Sequence, residues 1–179
     1  MLAKTKKAAI PKNWAELCDP IQPFLDEVSD RLQDEVKNFD PQIATFVQYA
    51  LASRGKQLRP ALVALAARAV GGIKPQHVDI AVIIEMVHLA TLVHDDVVDG
   101  AEVRRNRPTL AANWGNKVSV LAGDCLFAEA LRLAATLPST EVCRLVSQSA
   151  KIVCTGEIRQ TLQRGNFELG REEYLELVR

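Results

Sequence analysis

Apolar residues recur at three- and four-residue spacing along most of this chain, the period of helices that bury one face. Residues 20–38 carry Ile21, Phe24, Leu25, Val28, Leu32 and Val36 on one side. Asp40-Pro41 reads as a cap followed by a first-turn proline and opens a second helix to about residue 53. A third, over 60–70, stops at Gly71-Gly72, and the longest runs over 75–99. Residues 116–137 form the next, stopped by Pro138; Ser139 then caps a helix running towards 164, and one more starts at Glu172. Alternating strand patterns, internal repeats and low-complexity segments are absent from the sequence. The alanine-rich stretch 61–67 suits close helix–helix packing. The pattern predicts an all-α protein, an antiparallel helical bundle forming a single domain over residues 1–179.

Composition narrows the function classes. The chain has 179 residues, 48% hydrophobic, enough for one buried core. Its 22 basic and 22 acidic side chains cancel, which argues against a nucleic-acid binder with a basic face. Cys18, Cys125, Cys143 and Cys154 fall in no metal or redox spacing and read as reduced, mostly buried thiols of a cytoplasmic protein. Lys4, Lys6 and Lys7 precede no apolar core, so no secretory signal is evident. The most apolar stretch, 80–93, is interrupted by Glu85 and His88 and reads as too short and too polar to span a membrane.

The chemistry concentrates in Asp95-Asp96-Val97-Val98-Asp99, at the C-terminal end of the longest helix. Asp95 and Asp99 are four apart and share a face, with Asp96 beside them. Three carboxylates at the negative end of a helix repel one another and call for a cation. Mg²⁺ fits, because it takes a few carboxylates and fills its shell with water and phosphate oxygens. Arg104, Arg105 and Arg107 follow on a loop, and cations beside carboxylates suggest arginines closing on a metal-bridged polyphosphate. The plainer alternative is a solvated acidic helix end. Upstream, Gly55-Lys56-Gln57-Leu58-Arg59-Pro60 sets two cations and free N–H groups around a helix start, with Gly55 freeing the backbone. The alternative there is an ordinary first turn with surface charges.

Read in order, Gly55 to Pro60, Glu85-x-x-His88, His94 to Asp99, Arg104-Arg105-Asn106-Arg107-Pro108-Thr109, Gly123-Asp124 and Gly156-Glu157-Ile158-Arg159-Gln160 resemble the all-trans polyprenyl diphosphate synthases. The resemblance implies the isoprenoid synthase bundle and head-to-tail condensation of an allylic diphosphate with isopentenyl diphosphate. It implies Mg²⁺ on Asp95 and Asp99, with Asp96 as an alternate or outer ligand. It implies Arg104 on the departing pyrophosphate, and Lys56, Arg59, His88 and Arg105 on isopentenyl diphosphate. Released pyrophosphate is the family's usual candidate base. His94 reads as structural. Thr91 lies one turn below Asp95, with Ala90 beside it and Ile84 and Val87 further down. In the family bulky aromatics here stop growth early, so small residues imply a medium or long product.

The resemblance covers a first half. Relatives carry a second Asp-rich motif on a later helix, and this chain ends at Arg179 before one. It therefore reads as the N-terminal portion of a synthase, a truncated form or proteolytic remnant, inactive alone. A half-bundle exposes apolar faces, so a homodimer is expected, or an unstable chain. The alternative from another class is a non-catalytic helical subunit or partner of a prenyl synthase. The intact Lys56, Arg59, Asp95 and Asp99 favour the enzyme, and a generic helical metal-binding module leaves Lys56 and Arg59 unexplained.

Overall fold

The computed structural model describes residues 13–52 and 55–177. They form two compact units, Met1–Leu133 and Ala134–Arg179. The order is α1 (Trp14–Cys18), a 3₁₀ turn (Asp19–Ile21), α2 (Gln22–Val36), α3 (Pro41–Leu51), α4 (Leu58–Ala69), α5 (Pro75–Val98), a two-stranded antiparallel hairpin β1 (Val103–Arg104) and β2 (Arg107–Pro108), α6 (Leu110–Thr136), α7 (Glu141–Leu162) and α8 (Arg171–Leu177). The all-α class holds. The basic start at Lys4, Lys6 and Lys7, and the expected helix ends at Ser53 and at Val178-Arg179, lie outside the described residues.

In the first unit α5 is the central element, packed against α2, α3 and α4. Its Val78, Val82, Ile83, Met86, Leu89 and Val93 are buried. By length and composition α5 could cross a membrane, contrary to the expectation that the stretch is too short, because the helix is 24 residues long. Here those apolar residues serve the core. All six apolar residues expected along 20–38 are buried, Ile21 in the 3₁₀ turn and the other five on α2, and Val28 is 0% exposed. Ala61, Ala64 and Ala67 line the buried face of α4, and their small side chains let the α4 backbone come close to its neighbours. Asp40 caps α3 as expected, its Oδ1 accepting the Gln42 N–H at 2.9 Å.

Glu35, also buried, takes Arg31 at 3.0 Å and Arg132 of α6 at 3.4 Å. A buried carboxylate needs such partners, and this one ties α2 to α6. Helix α6 is two helices joined at Gly115, whose φ of 82° is a positive-φ conformation suited to glycine; the second begins at 116 as expected, and the first, from Leu110, was not foreseen.

In the second unit α7 follows Pro138. Thr140 takes the cap position, while Ser139 Oγ accepts the Glu141 N–H at 3.2 Å. Leu145, Ile152, Val153, Ile158 and Leu162 of α7 are exposed. Exposed apolar faces were expected of a half-bundle. Of the four free cysteines only Cys18 is buried, and Cys154 is exposed, because α7 leaves it uncovered.

Candidate active site

One cavity of about 620 Å³ gathers Gly55, Lys56, Arg59, His88 and Arg105, with Glu85 beside them and Leu32, Leu51, Leu89 and Leu92 as its apolar wall. The four residues expected on one anion come from the loop before α4, from α4, from α5 and from the hairpin, and the fold brings them together. The loop before α4 supplies Lys56. Its shape depends on Gln57, which sits in the left-handed region at φ 48°, ψ 40°. That conformation is costly for a residue with a Cβ. It is held by the side chain, whose Nε2 donates to Ser29 Oγ at 2.7 Å and to Leu25 O at 3.2 Å. Gly55 has another role than the backbone freedom expected of it. A Cβ there would stand 2.9 Å from Arg105 Nη1 and 3.2 Å from Cζ, so its missing side chain makes room for that guanidinium.

Arg105 reaches the cavity from the tip of the hairpin. Val103 pairs with Pro108 and Arg104 with Arg107, leaving Arg105 and Asn106 as a two-residue turn. Both have positive φ, 51° and 62°, as a type I′ turn requires. His88 faces the cavity from α5, and its pKa is lowered to about 4, by burial first and then by Arg59, Arg105 and Arg104. It is neutral at pH 7 and carries one N–H and one acceptor nitrogen. The clustered cations that disfavour a charged His88 are those a multiply charged anion would neutralise.

The carboxylates lie higher on α5. Asp95 and Asp99 are exposed on one face. The Asp95 carboxyl is raised above its ordinary range by partial desolvation, then by the Asp99 charge, with Arg104 opposing and Asp96 adding. Two repelling carboxylates of this kind suit a hard cation that completes its shell from phosphate and water. Among the described residues no group of three or more His, Cys, Asp or Glu side chains forms a cage for a metal ion. Asp96 differs from its neighbours. It is 6% exposed, and its Oδ1 accepts from Arg104 Nε at 2.7 Å. Thus Arg104, expected on pyrophosphate, also holds Asp96.

Arg107 turns away and stacks 4.7 Å over the Tyr49 ring. Tyr49 OH donates to Pro108 O at 2.7 Å and its ring meets Trp114 edge-on. Thr109 Oγ1 donates to Ala101 O at 2.7 Å and accepts the Ala112 N–H at 3.0 Å. His94 leaves the acidic face for α6, with Nε2 3.1 Å from Val120 O and 3.4 Å from Asp124 Oδ1. Gly123 gives its ring room: a Cβ there would lie 2.3 Å from Nε2. Below Asp95, Thr91 is half-buried with its Oγ1 donating to His88 O at 2.8 Å, whereas Ala90 is 1% exposed. Ala90 is four residues from His94 and shares its face, so only Thr91 shares the face of Asp95. Gln57 and Tyr49 escaped the reading of the sequence, because neither is charged and their roles are contacts with distant elements.

A family model described as polyprenyl synthetase matches residues 40–179. Octaprenyl diphosphate synthase of Escherichia coli is 37% identical over 145 residues, covering 80% of this chain and 45% of that protein. A decaprenyl diphosphate synthase from Rhodobacter capsulatus superposes with a TM-score of 0.83 at 32% identity, over 91% of this chain and 50% of that one. A polyprenyl synthase from Caulobacter crescentus, complexed with calcium and isoprenyl diphosphate, gives 0.81 at 31%, over 90% and 49%. The chain spans about half the length of the relatives it matches.

Proposed function

This chain belongs to the polyprenyl synthetase family, and we propose from that premise that it carries the substrate-gathering half of a Mg²⁺-dependent, all-trans polyprenyl diphosphate synthase. The observation that carries the reading is the joining of Lys56, Arg59, His88 and Arg105 around one cavity, with the Asp95–Asp99 pair higher on the same helix. His88 and Asp95 are seven residues apart, about 10 Å along α5, so two anions can be held side by side.

Lys56, Arg59 and Arg105 bind the diphosphate of isopentenyl diphosphate, and neutral His88 donates its N–H to it. The leucine wall receives the five-carbon chain and excludes water. Asp95 and Asp99 would hold Mg²⁺, which would supply the charge that offsets the pyrophosphate leaving the allylic substrate; calcium and isoprenyl diphosphate on the Caulobacter relative support this. The allylic C–O bond breaks, the isopentenyl double bond forms the new C–C bond, and a proton leaves to pyrophosphate. Octaprenyl and decaprenyl synthases among the relatives and the small Thr91 support a long product. Free cysteines support a reducing cytoplasm. Exposed Val120 and Leu121 of α6 support a homodimer.

Calorimetry with two variants tests the division of sites. Lys56→Ala should weaken metal-free isopentenyl diphosphate binding by about 1.5–3 kcal/mol, the size of a charge-assisted hydrogen bond. Asp95→Ala should instead weaken Mg²⁺-dependent binding of an allylic diphosphate analogue. Equal loss of both ligands in both variants overturns the two-site reading.

A further inference from the structure

We infer that Asp96 is a positioning residue: through Arg104 it holds the β1–β2 hairpin so that Arg105 stands in the basic cavity. The inference rests on the reading of that cavity as a diphosphate site. Asp96 lies about 100° around α5 from Asp95, and its carboxylate is buried on Arg104 instead of facing the exposed pair. A buried carboxylate needs a charged partner or several donors, and Arg104 Nε at 2.7 Å provides one. The backbone of the same residue holds the loop as well, since Asp96 O accepts the Ala101 N–H at 2.9 Å. One residue of α5 therefore fixes both the start of the loop and the first strand of the hairpin.

The second strand is fixed independently. Tyr49 donates to Pro108 O and carries Arg107 on its ring. Thr109 closes the base of the loop, its N–H on Glu102 O at 2.9 Å and its Oγ1 on Ala101 O. Between the strands only Arg105 and Asn106 remain, both at positive φ. Side chains rarely adopt that conformation, and it persists only where the surroundings over-determine it. Arg105 directly follows the residue that Asp96 grips, and its guanidinium comes to rest on Gly55 at the cavity. Loosening Arg104 frees the strained turn to relax and withdraws Arg105. The carboxylate beside the cation-binding pair thus serves the neighbouring anion site.

The test uses the full chain in metal-free buffer with EDTA and isopentenyl diphosphate as the probe. Asp96→Asn should weaken binding about tenfold, the equivalent of about 1.4 kcal/mol. Arg104→Lys, which loosens the same pair without uncovering a charge, should do the same. The double variant should lose no more than the larger single loss, because the two residues act as a unit. Hydrogen exchange at the Thr109 amide, which reports closure of the loop without any ligand, should quicken in each variant. Asp96→Asn with unchanged metal-free affinity and unchanged exchange, but lost Mg²⁺-dependent pyrophosphate binding, would make Asp96 a metal ligand and overturn the inference. Should Asp96→Asn fail to fold, unchanged exchange and affinity in Arg104→Lys would overturn it equally. Lys56→Ala separates the two readings: if it leaves isopentenyl diphosphate binding intact while Asp96→Asn quickens exchange, the cavity assignment falls and the hold on the hairpin stands.

Discussion

Replacing Gly123 by alanine should destabilise the protein although alanine favours helices. A Cβ at 123 would lie 2.3 Å from His94 Nε2, 2.5 Å from Cδ2 and 3.0 Å from Cε1. Ordinary carbon contacts are about 3.5–4.0 Å, so the ring must retreat by roughly 1 Å. It then leaves Val120 O, 3.1 Å away, and the lost hydrogen bond costs about 1 kcal/mol. Overpacking adds about 1–3 kcal/mol. The lower end applies, because the His94 side chain is 34% exposed and can swing outward. Gaining alanine's helix propensity returns about 1 kcal/mol. The net loss is about 1–2 kcal/mol, or roughly 2–8 °C in Tm for a chain of this size. Urea and thermal unfolding of four proteins measure it: wild type, Gly123→Ala, His94→Ala and the double variant. With the ring removed there is nothing to strike, so Gly123→Ala in the His94→Ala background should stabilise, by about 1 kcal/mol. If alanine at 123 destabilises as much without His94 as with it, the contact is not the reason for the glycine.

Three further outcomes are expected. The His88 ring should titrate near pH 4 by NMR rather than near 6.5; because its folded pKa is the lower one, the unfolded chain binds the proton first. Its contribution to stability is therefore full above about 6.5 and declines as pH falls towards 4, and an ordinary midpoint would refute the reading of a ring partly buried among cations. Thr91→Phe, in an active synthase carrying this chain, should shorten the product, as read by chromatography of the dephosphorylated alcohols, because an aromatic ring there forms a rigid floor below the carboxylates. Ala90→Phe should instead lower the urea midpoint, at a cost of about 1–3 kcal/mol for overpacking a buried position. A stable Ala90→Phe would show that this face is open.

Helix order and the all-α class were legible in the chain itself, because apolar spacing, Asp40-Pro41 and Pro138 act over a few residues. The basic and acidic constellations were legible for the same reason: Lys56 and Arg59 share a helix start, and Asp95 and Asp99 share a face. That Arg105 joins Lys56 and Arg59 was implied only by the family resemblance; nothing local in the chain shows it. Arg105 reaches the cavity only because a two-residue turn of positive φ folds the loop back onto α4. Spacing made Asp96 a third member of a carboxylate cluster, yet a 100° turn of the helix buries it on Arg104. Gly55 and Gly123 showed only that side chains are missing; what stands in the space, Arg105 in one case and His94 in the other, comes from elements 50 and 29 residues away in the sequence. Local propensity reads from neighbours along the chain, whereas the partner of a buried carboxylate and the filling of a glycine's gap depend on which distant surfaces the packing of α2, α4 and α6 around α5 brings into contact.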